Sequence, residues 1–162
     1  MLKVLLVDDE PFIVQGLSAL IDWEKEGFEI VGTAGNGSEA VEFLKSNPVD
    51  LILADIKMPV MNGLEFLKYI RETHLSEAFF VILSGYGDFT YAKEAIKWQC
   101  TDYILKPIQK SQLLALLSKV KQMQQDKKEE SERIRKNRKS VFCAADADTF
   151  ARQTGGNGTL LC

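Results

Sequence analysis

Short apolar runs and helix-spaced apolar positions alternate along this chain. Leu2–Val7 is a hydrophobic run interrupted only by Lys3. Pro11 then stands just inside a helix start, and Phe12, Ile13, Gly16, Leu17, Leu20 and Ile21 recur at helical spacing. Phe28–Ala34 alternates as a strand. Gly35, Asn36 and Gly37 predict a turn, with Ser38 placed to cap a helix carrying Ala40, Val41, Phe43 and Leu44. Pro48 ends that helix, and the apolar run 51–54 leads into Asp55. The loop 56–62 contains Pro59 and gives way at Gly63 to a third helix with Leu64, Phe66, Leu67 and Ile70. The run 79–83 is a fourth strand. After it come the loop 84–87, Asp88 as a helix cap and a helix over 89–99. The fifth strand, Asp102–Leu105, is broken by Lys106 and Pro107 before a final helix rich in leucine over 113–117.

Such alternation predicts parallel strands joined by crossover helices, which are right-handed by rule. The expected fold is a flavodoxin-like, doubly wound α/β domain with strand order 2-1-3-4-5. In such sheets reactive groups gather at the carboxyl ends of the strands, around the switch point between strands one and three. Asp8 and Asp9 end strand one, and Asp55 ends strand three. Ser84 and Lys106 end strands four and five. Three acids, a hydroxyl and an ammonium therefore converge on one sheet edge.

The pattern weakens near Val120. Residues 121–139 are almost all charged or amide, which predicts a solvated helical linker extending the last helix. A coiled coil there has only Met123 and Ile134 as seam residues. Residues 140–162 lack an apolar period and carry Gly155, Gly156 and Gly158, so a disordered tail is expected. The division is thus 1–120, 121–139 and 140–162.

Composition adds exclusions rather than detail. The 162 residues carry 27% charged residues and a net charge of −3, so the chain is not basic overall. No apolar stretch approaches the roughly 20 residues that span a bilayer. No secretory signal opens the chain. Three widely spaced cysteines, Cys100, Cys143 and Cys162, form neither a disulfide framework nor a zinc pattern and point to a reducing cytoplasm.

Clustered acids repel one another and invite a hard divalent cation such as Mg2+. Asp55 beside that cation can attack phosphorus and become an aspartyl phosphate. The transferring group spreads charge over its equatorial oxygens. Lys106, the Ser84 hydroxyl and the backbone N–H groups after Asp55 are candidate donors to them. Gly85 leaves room for the phosphoryl group.

Four segments now carry a resemblance: LLVDDEP at 5–11, ADIKMPVMNGLEFL at 54–67, SGYGDFTYAKEAI at 84–96 and DYILKPI at 102–108. Over residues 1–120 the chain resembles the receiver domain of two-component response regulators. The resemblance implies Asp55 as phosphoacceptor for a sensor histidine kinase. Asp8, Asp9, Asp55 and the backbone carbonyl of Lys57 would hold Mg2+. It implies Ser84 and Tyr103 as switch residues, Lys106 as the phosphate-binding lysine, and a cis peptide before Pro107. The switch would reshape the face formed by helix four, strand five and helix five, a candidate homodimer surface. The segments 21–37 and 84–96 are similar to the YesN-like subfamily, whose members carry an AraC-type helix-turn-helix output after a charged linker. Residues 140–162 are too short and glycine-rich for that output. The alternatives are a truncated gene, a shifted frame or a free-standing receiver.

Two rival classes remain open from sequence. A magnesium-dependent phosphohydrolase would use Asp8 as nucleophile with Glu10 two positions on, but no substrate-selecting cap is visible. A nucleic-acid binder would use Arg133, Arg135, Lys136, Arg138 and Lys139. No recognition helix accompanies them, so no specific DNA binding is expected.

Overall fold

A computed structural model describes residues 1–85 and 89–154, with side chains for 1–85 and 90–138. The elements follow in strict alternation: β1 (Leu2–Val7), α1 (Pro11–Leu20), β2 (Phe28–Ala34), α2 (Gly37–Ser46), β3 (Leu51–Asp55), α3 (Gly63–Glu72), β4 (Phe79–Ser84), α4 (Phe89–Lys97), β5 (Asp102–Leu105) and α5 (Lys110–Thr154). The chain divides into two units, Met1–Val120 and Lys121–Cys162. The first holds the whole sheet. In the second, the α5 backbone runs through the boundary at 139/140 drawn from sequence, and 155–162 of the expected tail lie outside the described residues.

All strand pairings are parallel, in the order β2-β1-β3-β4-β5. This is the expected order, and it follows from helical crossovers that return to either side of β1. The register sets Val7 beside Ala54, Asp55 beside Leu83 and Ser84 beside Leu105. The reactive ends of β1, β3, β4 and β5 are therefore level.

Successive strand residues point to opposite faces, so each strand feeds two cores. One face sends Leu5, Val7, Ile52, Ala54, Phe80 and Ile82 against Ala40 and Leu44 of α2, Phe66, Leu67 and Ile70 of α3, and Ala95 of α4. The other sends Val4, Leu6, Leu51, Leu53, Val81 and Leu83 against Leu17 of α1 and Leu113, Leu116, Leu117 and Val120 of α5. Every residue of β3 is buried, which is why its sequence is a continuous apolar run rather than an alternation. Each fully buried Leu, Ile or Phe contributes about 1.5–3 kcal/mol of transfer free energy, so this double core is what holds the acid-bearing edge in place.

Local capping differs from expectation at α2. The helix starts at Gly37, and Asn36, not Ser38, caps it by accepting the Glu39 N–H at 2.9 Å. A side chain at position 37 would collide with Met61 and Phe66, so the glycine lets the helix begin one turn-residue early. Asn62 caps α3 in the same way, and its amide also reaches Glu65 Oε1 at 2.7 Å. Helix α4 ends at Lys97, two residues short of the expected end, and Gln99 takes a left-handed φ of 61° just beyond it. The expected Asp88 cap lies outside the described residues. The Lys106–Pro107 peptide is cis. No helix among the described residues is long and apolar enough to cross a membrane.

Candidate functional site

Among the described residues, the buried polar or charged side chains are Asp8, Asp55 and Ser84. A buried carboxylate is costly unless paired, so two of them at one edge demand a compensating cation. Lys106 supplies one. Its Nζ lies 2.9 Å from Asp8 Oδ2 and 3.2 Å from Asp55 Oδ2. The end of β5 thus delivers an ammonium between acids carried on the ends of β1 and β3.

Each acid is fixed by backbone as well. Asp8 Oδ1 accepts the Glu10 N–H at 2.9 Å, and the Asp8 N–H donates to Ala34 O at 2.9 Å. Asp55 Oδ1 accepts the Ile56 N–H at 2.8 Å. Burial raises the Asp55 carboxyl above its ordinary pKa of 3.8; Lys106 opposes that effect and the Asp8 charge reinforces it. Burial by itself would lower the Lys106 pKa, but the hydrogen bond to Asp8 and the charges of Asp55 and Asp8 outweigh it and hold the ammonium above 10.5.

Asp9 is exposed beside this pair. Asp8, Asp9 and Asp55 each offer an oxygen within 4.8 Å of the others. Mg2+ binds oxygens at 2.0–2.1 Å, so opposite ligands in its octahedron sit about 4 Å apart. The cluster therefore has the donor chemistry and nearly the spacing that a hard divalent cation requires.

A cavity of about 510 Å3 opens at this edge, lined by Asp9 and Asp55 of the trio and by Lys57, Ser84, Gly85 and Lys106. Ser84 Oγ donates to Gly85 O at 3.3 Å, and a side chain at position 85 would meet nothing within 4 Å. Tyr103 is half-buried on β5, with its hydroxyl buried and unpaired among the described residues. It packs against the α3–α4 core rather than lining the cavity.

Three features of the site escaped sequence reasoning. Gly63 is read from sequence only as the start of the third helix, but its N–H donates to Ile56 O at 2.9 Å and a Cβ there would overlap the Asp55 carbonyl oxygen. Val60 takes a left-handed φ of 67°, and Met61 N donates to Pro59 O at 2.7 Å around it. A β-branched residue is strained there, and the strain lies in the loop that follows Asp55. Tyr91 of α4 lines the cavity. No local pattern marks it, because its position depends on how α4 packs.

The fold and the lysine-bridged acid edge define a flavodoxin-like α/β protein with a charged site at the switch point of its sheet. Residues 4–118 match the family model described as the response regulator receiver domain. The chain belongs to that family. It is 40% identical over 120 residues to the transcriptional regulatory protein YesN of Bacillus subtilis, covering 74% of this chain and 32% of the relative. It is 37% identical over 120 residues to the transcriptional regulatory protein HptR of Staphylococcus aureus, covering 74% of this chain and 46% of that protein. The chain thus spans under half the length of these relatives. Among solved structures, it resembles the receiver domain of the response regulator AraT from Geobacillus stearothermophilus. That match has a TM-score of 0.72 and 38% identity, and covers 78% of this chain and 98% of that one. A chain of the CheX–CheY–BeF3–Mg2+ complex from Borrelia burgdorferi is 31% identical with a TM-score of 0.66, over 74% of this chain and 88% of that one.

Membership makes this a phosphorylation-controlled regulatory module of two-component signalling and not the Asp8-centred phosphohydrolase. The geometry agrees, since Asp55 lines the cavity at the sheet edge and Asp8 does not.

Proposed function

We propose that Asp55 accepts a phosphoryl group from the phosphohistidine of a sensor kinase, and that this chain's own residues promote the transfer. The observation that carries the reading is the Lys106 ammonium held within 3.2 Å of the Asp55 carboxylate, which lines the cavity and belongs to the three-acid cluster. An Asp55 oxygen attacks phosphorus; the phosphorus–oxygen bond forms as the phosphorus–nitrogen bond to histidine breaks, and the freed imidazole takes up a proton. Asp8, Asp9, Asp55 and the Lys57 carbonyl would hold Mg2+, whose role is to neutralise charge on the phosphoryl oxygens. The BeF3 and Mg2+ named for the related complex support this assignment.

Lys106 then serves as a positive point charge on the bound group, and the Ser84 hydroxyl turns from Gly85 O to donate to a phosphoryl oxygen. Movement of Ser84 leaves space that Tyr103 follows, which biases the face of α4, β5 and the part of α5 within Met1–Val120. Homodimerisation through that face is the proposed output step, in line with transcription control by the longer relatives. Arg133, Arg135, Lys136 and Arg138 are exposed and suited to phosphate contact, not base reading. The setting is cytoplasmic, with the kinase as partner. Incubation with a phosphorylated kinase domain tests the proposal. Label should pass to the wild-type chain and not to Asp55→Asn; equal transfer to both would reject Asp55.

A further inference from the structure

We infer that Tyr91 is the wall of the phosphorylation cavity contributed by α4, and that its ring sets the lifetime of the phosphoryl group by limiting access of water. This rests on Asp55 being the acceptor. Tyr91 and Ala95 of α4, and Trp98 just beyond its end, reach inward at helical spacing. Ala95 is fully buried in the core, and Trp98 packs beside it with Lys68 and Lys97 over its ring. These two fix the helix against the sheet. Tyr91, one turn before Ala95, is half-buried, packs against the same core and borders the cavity together with Asp55, Ser84 and Lys106. Among the described residues of α4 it is the one on the cavity wall.

The chemistry makes that position consequential. Loss of the signal is hydrolysis: a water oxygen attacks phosphorus, and the bond to the Asp55 oxygen breaks. Carboxylate is regenerated, and phosphate leaves with the protons of water. The incoming water must lie in line with the Asp55 oxygen and so must occupy the cavity on the far side of the phosphoryl group. Of the other lining residues, Asp55, Lys57, Ser84 and Lys106 can hydrogen-bond a water, Gly85 has no side chain, and the apolar side chain of Ile56 is only 2% exposed. The aromatic ring of Tyr91 is a broad apolar surface that excludes one.

The experiment labels Asp55 with acetyl phosphate and Mg2+, then follows decay in wild type, Tyr91→Phe, Tyr91→Leu, Tyr91→Ala and Ile96→Ala. Ile96 is 75% exposed on the same helix and serves as the control for helix stability. Tyr91→Ala should shorten the phosphoryl half-life several-fold, Tyr91→Leu should fall between, and Tyr91→Phe and Ile96→Ala should match wild type. Opening the wall should also raise labelling by acetyl phosphate relative to the smaller donor phosphoramidate, a ratio that simple destabilisation does not move. If Tyr91→Ala fails to fold, the Tyr91→Leu and Tyr91→Phe pair decides. Wild-type half-lives in both Ala and Leu variants overturn the inference, as does a Phe variant as short-lived as Ala. A wild-type chain that takes no label removes the acceptor reading itself, a result distinct from an unchanged half-life.

Discussion

A side chain on Gly63 would overlap the carbonyl oxygen of Asp55. The first residue of α3 is thus in van der Waals contact with the backbone of the proposed phosphoacceptor, and its N–H closes the intervening loop on Ile56 O. The acceptor's position is set by a helix terminus as much as by its own strand.

Gly63→Ala should therefore destabilise the fold by about 1–3 kcal/mol, the usual cost of forcing a methyl into packed backbone. It should also slow phosphorylation, because relief requires Asp55 to move. Gly85→Ala is the contrast: open space surrounds it, so stability should change by no more than about 0.5 kcal/mol. Urea unfolding of both variants checks this. Equal stability of the two would show that the contact at Gly63 relaxes at no cost.

Arg71 ties together the ends of α3, β4 and α4. Its guanidinium donates to Ser76 O at 3.2 Å, Ala78 O at 3.0 Å and Gln99 O at 3.4 Å. Arg71→Met should cost about 1–3 kcal/mol, because the part-buried carbonyls of Ser76 and Ala78 lose their donors. Arg71→Lys should recover only part, since one ammonium cannot reproduce the planar fork. A thermal melt in which Lys fully restores wild-type stability would contradict the bridging role.

The raised Asp55 pKa has a definite sign. Between the ordinary value of 3.8 and the higher folded value, the native state binds the proton more tightly than the unfolded chain. The stability from this group is present in full below pH 3.8 and is lost as pH rises through the folded pKa. In metal-free buffer, Asp55→Asn should remove that loss and be the more stable protein at neutral pH. Denaturation midpoints of the two chains across pH test this; parallel curves would show that burial does not raise the pKa.

Metal should reverse the penalty. A cation that binds only the folded chain stabilises it by mass action. Magnesium should raise the melting temperature of wild type, and Asp9→Ala should lose most of that rise. Asp9 is exposed, so its removal spares the core. An undiminished magnesium response in Asp9→Ala would exclude it as a ligand.

Periodicity made the ten elements and the sheet order legible, because each strand is a compact apolar run bounded by turn residues. Asp8, Asp55, Ser84 and Lys106 were legible for the same reason: they are the first polar residues after those runs. The α2 cap was not, because Met61 and Phe66 leave no room for a side chain at position 37, where the helix starts. Val60 at positive φ was equally hidden, since its sequence neighbours give no reason for a β-branched residue in that region. Gly63 lies against the Asp55 backbone 8 residues away, and Tyr91 shares a cavity with Asp55 36 residues away. Local pattern carries no trace of such pairs.

Whether Asp55 carries the phosphoryl group is tested by intact-mass and peptide mapping of the chain after incubation with acetyl phosphate and magnesium. A single phosphoryl group is expected on the peptide containing Asp55, absent from Asp55→Asn. A phosphoryl group found on Asp8 or Asp9, or retained in Asp55→Asn, would contradict this assignment.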